Sequence, residues 1–271
     1  MTGISEPAIT VLIESATAGG KDLSGQTNII LPPNGGGPTG PADTVYLMNF
    51  DQAIGSQPPF DDTGKRTMNW GVNLNVEILA DPKFGTGCFG ADDPLVNFSM
   101  SAELRSDISS DMDISGQRDF CVQFWVKVQA MLSAVSVAIP FELQSFADNE
   151  FCNILMIRDS DTTFHFFIST LGDSGGESAT GTTIFNVGVY YEVALSVIDN
   201  VFTLRVNGDE EASFDFGVNF FADTEFRTMH RVVQAHLVQI DSVRMVMDCG
   251  VFDADYAALS APLEVITTCP I

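Results

Sequence analysis

The chain has 271 residues, 36 acidic against 12 basic, a formal charge of −24, and 21 phenylalanines. A surface of that sign repels phosphate backbones and anionic lipid, which excludes nucleic acid and membrane surfaces as partners. Phe, Leu, Ile and Val are abundant enough to exclude disorder throughout and to fill one large β domain, a class that runs past about 200 residues.

Residues 1–44 stand apart from the rest. They hold two apolar bursts, Ile9, Val11 and Ile13, then Ile29, Ile30 and Leu31, followed over 32–41 by a run of Pro and Gly that continues neither sheet nor helix. We expect an N-terminal arm and linker. Its six apolar residues are candidates for docking on a partner, for example by adding a strand to a sheet edge; an undocked terminus is the alternative. The run Ala8 to Ile13 lacks a cationic flank and is too brief for a signal peptide, so synthesis without Sec export is expected.

From residue 45 onward apolar and polar residues alternate with period two, as in strands with one buried face. Val72, Leu74, Val76 and Ile78 form one such set. Phe120, Val122, Phe124, Val126 and Val128 form another, with Trp125 on the opposite face and assigned to the gap between two sheets. Ala130 to Ile139, the best candidate for a membrane span, is interrupted by Ser133 and Ser136 and falls short of the roughly 18 apolar residues required. Tyr191, Val193, Leu195 and Val197 lead into Asp199-Asn200, a pair suited to a tight turn, and Val201 to Val206 returns as a hairpin ending at Asn207-Gly208. Asp253 to Leu259 is the one stretch that could make a helical turn. Five cysteines, Cys88, Cys121, Cys152, Cys249 and Cys269, contain no CxxC pair and are read as buried thiols. The pattern predicts an all-β, two-sheet antiparallel jelly-roll sandwich over 45–271, with the arm before it.

Five phrases in order carry a resemblance: an opening strand ending in Asp51, Lys83-Phe84-Gly85, Asp119 to Val126, Val206-Asn207-Gly208, and Ile240-Asp241-Ser242-Val243-Arg244. Together they resemble the laminin-G-like domains of the concanavalin-A-like lectin/glucanase superfamily, in the version found in bacteriophage structural proteins. The sequence departs from that pattern where a Trp-His pair often introduces the hairpin; here stand Val189, Tyr190 and Tyr191. The resemblance implies a non-enzymatic virion protein that decorates capsid or tail or forms part of a fibre. It would be made in the host cytoplasm, be homo-oligomeric, contact capsid, tail or fibre proteins through the arm, and adhere to host-surface glycans. The alternative is a calcium-dependent carbohydrate-binding module free of any particle.

Chemistry was sought against that background. Gly172 to Gly176 spells the serine-protease phrase GDSGG, but the one upstream histidine, His165, lies only nine residues away in a strand, so a Gly- and Ser-rich loop continuing through Gly181 is expected. Glucanases of this fold carry carboxylates at i, i+2 and i+5 on one strand. Asp111/Asp113, Asp148/Glu150, Asp159/Asp161, Asp209/Glu211, Asp223/Glu225 and Asp253/Asp255 all lack the third, and no catalytic residue is assigned. Related sandwiches often hold calcium at the loop rim, which makes Asp51, Asp61 and Asp62 the calcium candidates, with turn formation as the competing role. Phe60, Trp70, Tyr190 and Phe221 are the aromatics placed to stack on a sugar ring, against an ordinary place in the core.

Overall fold

The computed structural model describes residues 17–18, 21–22, 42–55, 63, 68–70, 76–91, 104–106, 119–131, 137–145, 151–158, 164–172, 175–215, 224–228, 230–233, 236–249 and 255–267. These form strands and no helix. In chain order they are β1 (Thr17–Ala18), β2 (Lys21–Asp22), β3 (Asp43–Met48), β4 (Met68–Trp70), β5 (Val76–Leu79), β6 (Cys88–Ala91), β7 (Leu104–Ser106), β8 (Phe120–Met131) and β9 (Val137–Ser145). There follow β10 (Phe151–Arg158), β11 (Phe164–Gly172), β12 (Gly175–Thr180), β13 (Tyr190–Ile198), β14 (Val201–Val206), β15 (Asp209–Asp215), β16 (Thr224–Thr228), β17 (His230–Val233) and β18 (His236–Met247). Strands β1 and β2 pair only with each other. One large sheet runs β12-β11-β10-β9-β16-β7-β4, with β17 also on β9; the other runs β15-β14-β13-β8-β18-β6-β5, with β3 beside β18. We call them the β9 sheet and the β8 sheet. The architecture is the antiparallel two-sheet sandwich read from the sequence.

The core lies between the sheets. From β8 come Phe120, Val122, Phe124, Val126 and Val128, from β13 Val193, Leu195 and Val197, from β14 Phe202 and Leu204, and from the β9 sheet Phe141, Leu143 and Cys152, all buried. Each large apolar side chain withdrawn here contributes about 1.5–3 kcal/mol. In β18 the register against β8 jumps from Asp241 to Val243, and Ser242 takes a φ of 51°. That bulge lets Ile240 and Val243 both reach the core although three residues apart. The β13–β14 hairpin turns on Asp199 (φ 50°) and Asn200 (φ 67°), the paired positive φ angles that match strand twist. The closing strand β18 does pair with the opening strand β3.

Four local readings are corrected. Trp125 does not fill the gap between sheets: it is buried on the outer face of β8, edge-on to Phe84 at 5.4 Å. Gly175–Thr180 is a strand, paired with β11 from Phe167↔Thr180 to Gly172↔Gly175, because the alternation of β11 recruits an edge partner that composition alone reads as loop. Cys249 is disulfide-bonded, with its partner outside the described residues, whereas Cys88, Cys121 and Cys152 are buried thiols. Residues 255–259, where a helical turn seemed available, have no regular structure.

The polar phrase Asn207-Gly208 has a second duty beyond closing the β14–β15 turn. Gly208 has a φ of 92°, and a Cβ there would stand 1.7 Å from the Tyr256 carbonyl oxygen, where the C-terminal segment crosses. Tyr256 N–H donates to the Gly208 carbonyl at 3.1 Å. Gly188 also has a positive φ, 80°, but nothing lies within 4 Å of its missing Cβ. We predict that Gly188→Ala lowers stability by about 1 kcal/mol, the backbone penalty alone. Gly208→Ala should cost clearly more, at least about 2 kcal/mol, because a backbone must move as well. Urea unfolding of both variants checks this; equal losses would mean that the tail does not press on the turn.

Candidate functional site

The outer face of the β8 sheet is a polar layer, and nearly all of it is buried. Gln123, Trp125, Lys127, Glu192, Arg205, Gln239, Asp241 and Arg244 are each at most 6% exposed. Two segments cover them. At one end residues 81–87, the KFG phrase, are clamped from both sides. Asp241 Oδ2 accepts the Phe84 N–H at 2.7 Å, and Asp51 Oδ1 accepts the Thr86 N–H at 2.8 Å. Gly85 (φ 64°) lies so close to Asp51 that a Cβ would fall 1.9 Å from its carboxylate. Lys127 Nζ meets Asp81 Oδ2 at 2.7 Å and lies 4.5 Å from the Tyr190 ring centre, while Lys83 Nζ lies 4.6 Å from that of Trp125.

At the other end the tail is held by Glu192 and Arg244. Glu192 accepts the Tyr256 hydroxyl at 2.9 Å, the Leu259 N–H at 2.7 Å and the Gln123 amide. Arg244 donates to the Glu264 carbonyl at 2.7 Å and to Gln123 Oε1 at 2.6 Å. Burial raises the Glu192 carboxyl above its ordinary range despite these bonds, and lowers the Arg244 guanidinium. Burial pushes Asp241 up to about 6, against the backbone N–H groups of Phe84 and Lys83.

The candidate residues fall as follows. Asp51 is exposed, and its Oδ1 is spent on Thr86. Among the described residues no group of three or more His, Cys, Asp or Glu could hold a metal ion. Tyr190 donates its hydroxyl to the Asp81 carbonyl at 3.0 Å with Lys127 on its ring, so it serves the cover of the β8 sheet. Trp70 is in the other sheet, paired with Leu104 in β4. Asp61, Asp62, Phe60, Phe221, Ile9, Val11, Ile13, Ile29, Ile30 and Leu31 lie outside the described residues.

The β9 sheet carries a feature that no single phrase announced. Ala179 packs on the core while Ser178 and Thr180 are exposed; Phe141 and Leu143 are in the core with Glu142 between them. Following the face of Ser178 and Glu142 across the sheet, the backbone register aligns Asn69↔Arg105, Arg105↔Arg227, Arg227↔Glu142, Glu142↔Asn153, Asn153↔Ser169 and Ser169↔Ser178. Seven strands thus contribute seven polar residues to one row, about 29 Å long at about 4.8 Å per strand. On the same face two residues along stand Gln144↔Phe151 and Phe151↔Leu171, and on the other side Leu155↔Phe167. Of the row's members, Ser178 is exposed and Glu142 is buried, 4% exposed. Only Glu142 and Asn153, joined by the β9–β10 hairpin, were accessible from alternation in FELQS and FCNIL; the rest depends on long-range register.

A raised Asp241 pKa means that burial favours the protonated form. Its stabilising contribution is therefore full below about pH 4 and is lost as pH rises through about 6, roughly 3 kcal/mol for a shift of this size. Asp241→Asn should gain stability relative to wild type across that window, and Asp241→Ala, which strands the Phe84 N–H, should lose about 1–3 kcal/mol. Urea midpoints of the three proteins between mildly acidic and neutral pH test this; a wild-type-minus-Asn difference that does not vary with pH would remove Asp241 from the clamp.

Residues 105–244, from β7 into β18, match the family described as Concanavalin A-like lectin/glucanases superfamily. No curated protein matches. Among solved structures, the binding domain of Paraclostridial Mosquitocidal Protein 1 is similar with a TM-score of 0.55 at 12% identity, over 80% of this chain and 50% of that one. The Botulinum neurotoxin serotype D binding domain gives 0.54 at 11%, over 80% and 49%. A protein of unknown function from Shewanella oneidensis MR-1 gives 0.50 at 12%, over 83% and 92%. The chain spans about half the length of the two toxin binding domains, and at these identities the likeness concerns the fold. With its sandwich matched over more than half of the sequence, this chain belongs to the concanavalin A-like lectin/glucanases superfamily.

Proposed function

We propose that this chain is a non-enzymatic glycan-binding domain displayed on a bacteriophage particle, as a capsid or tail decoration or part of a fibre, and that it engages host-surface glycans through the outer face of the β9 sheet. The observation that carries the glycan reading is the backbone register that sets polar residues from Asn69 to Ser178 in one row across seven strands. Membership of a lectin/glucanase superfamily supports it, as do the toxin binding domains of like fold. A non-catalytic role is supported by the use made of carboxylates. Asp51, Asp241 and Glu192 hold backbone segments, and Glu211 accepts the N–H and hydroxyl groups of Thr182 and Thr183. The particle rests on the order of phrases that resembles phage structural proteins, with residues 1–44 as the attachment.

The test is a glycan array probed with the purified full chain, with and without calcium, alongside mass spectrometry of intact particles. We expect binding that survives chelation and that falls about fivefold in Asn153→Ala, the loss of one hydrogen bond. Stoichiometric presence of the chain in particles is expected as well. Binding abolished by chelation would favour a calcium-dependent free module instead, and a featureless array would defeat the glycan reading.

A further inference from the structure

We infer that the C-terminal segment is a redox-latched strap: the disulfide at Cys249 ties residues 255–267 down over the outer face of the β8 sheet, and its reduction lets them lift. This goes beyond glycan binding and does not depend on it. None of residues 255–267 is in a strand, and Leu263 is their single buried side chain. Their backbone is held at a few points: the Tyr256 N–H on the Gly208 carbonyl, the Leu259 N–H on Glu192, the Glu264 carbonyl on Arg244, and Ile266 on the Thr44 hydroxyl, which accepts its N–H at 2.7 Å and donates to its carbonyl at 2.8 Å. The Asp255 carboxylate accepts the Glu210 N–H at 3.0 Å. Ordering the backbone of one residue costs about as much as one such bond returns, so bonds at so few residues leave a deficit.

Apolar burial adds little to them. Beneath the strap lies a small cluster of Ala42, Cys121, Ala194, Val246 and Cys249, on which Tyr256 and Ile266 pack while only partly buried. Closure also keeps Glu192 and Arg244 from water, which opposes their charged forms. A covalent tie meets the deficit. Cys249 is disulfide-bonded and Cys88, Cys121 and Cys152 are thiols, so of the five cysteines Cys269, just past the strap in sequence, is left as its mate. Closing a loop of about twenty residues in this way favours the closed form about a hundredfold. A monothiol of the glutathione class undoes the bond in two steps. One thiolate attacks a sulfur, forming a mixed disulfide and releasing the other cysteine; a second thiolate displaces the first, leaving two protein thiols and one oxidised reductant. The strap is thus set in an oxidising medium and released in a reducing one, which bares Gln123, Glu192 and Arg244.

Two buried thiols report the outcome separately, Cys121 under the strap and Cys152 in the core between the sheets. The full chain, oxidised with glutathione disulfide, is alkylated with iodoacetamide before and after reduction by glutathione, and each cysteine is read by mass spectrometry. Reduction should speed labelling of Cys121 about a hundredfold and leave Cys152 unchanged. Cys249→Ser should label Cys121 at the fast rate without reductant, and a non-reducing peptide map of the oxidised chain should join Cys249 to Cys269. Labelling of Cys121 that does not respond to reduction overturns the latch. So does a rise of Cys121 and Cys152 together, since the bond would then hold the sandwich rather than the strap, and so does a Cys249 that stays a thiol or pairs elsewhere.

Discussion

A carboxylate cannot remain charged in a low-dielectric interior unless its oxygens are occupied, and this fold places Asp241 and Glu192 in that position. Each meets the demand by accepting N–H groups from chain that would otherwise have no reason to lie on the sheet: Phe84 for Asp241, Leu259 for Glu192. The KFG loop and the C-terminal tail are thus held by hydrogen bonds to two buried acids. Once both segments are down, Gln123, Lys127, Arg205 and Arg244 are covered as well, and each finds its partner within the same layer. Removal of one acid exposes the polar groups of its neighbours, so the layer stands or falls as a network.

This closure has a functional consequence. A sandwich has two outer faces, and here the outer face of the β8 sheet is consumed by its own chain. Tyr190, one of the aromatics proposed to stack on a sugar, is part of the seal under Lys127, as is Trp125 under Lys83. The acid that seemed free for calcium, Asp51, presses the Gly85 turn into place. The phrases most useful for relating this chain to its family are therefore framework.

That division explains what was legible in the sequence. Period-two alternation in β8 and β13 reports one buried face, and it gave the sandwich and the Asp199-Asn200 hairpin. Alternation says nothing about what covers the opposite face, so Trp125 was assigned to the gap between sheets. Gly85 and Gly208 looked like ordinary turn residues, although each is fixed by a contact from a distant segment, Asp51 in one case and Tyr256 in the other. Edge strands such as β12 carry weak patterns because their identity lies in the partner, which is why Gly175–Thr180 read as loop. The row from Asn69 to Ser178 is the extreme case, since Arg105 and Arg227 meet only through the pairing of β7 with β16.

Net charge and site charge then become separate quantities. The charge of −24 argues for a soluble surface and against phosphate backbones, and both arguments concern the field at a distance. Within a Debye length the count that matters is that of the strands themselves, and there the β9 sheet is not acidic. The acids that set the total are concentrated elsewhere, four of them in β15 alone, at the edge of the β8 sheet.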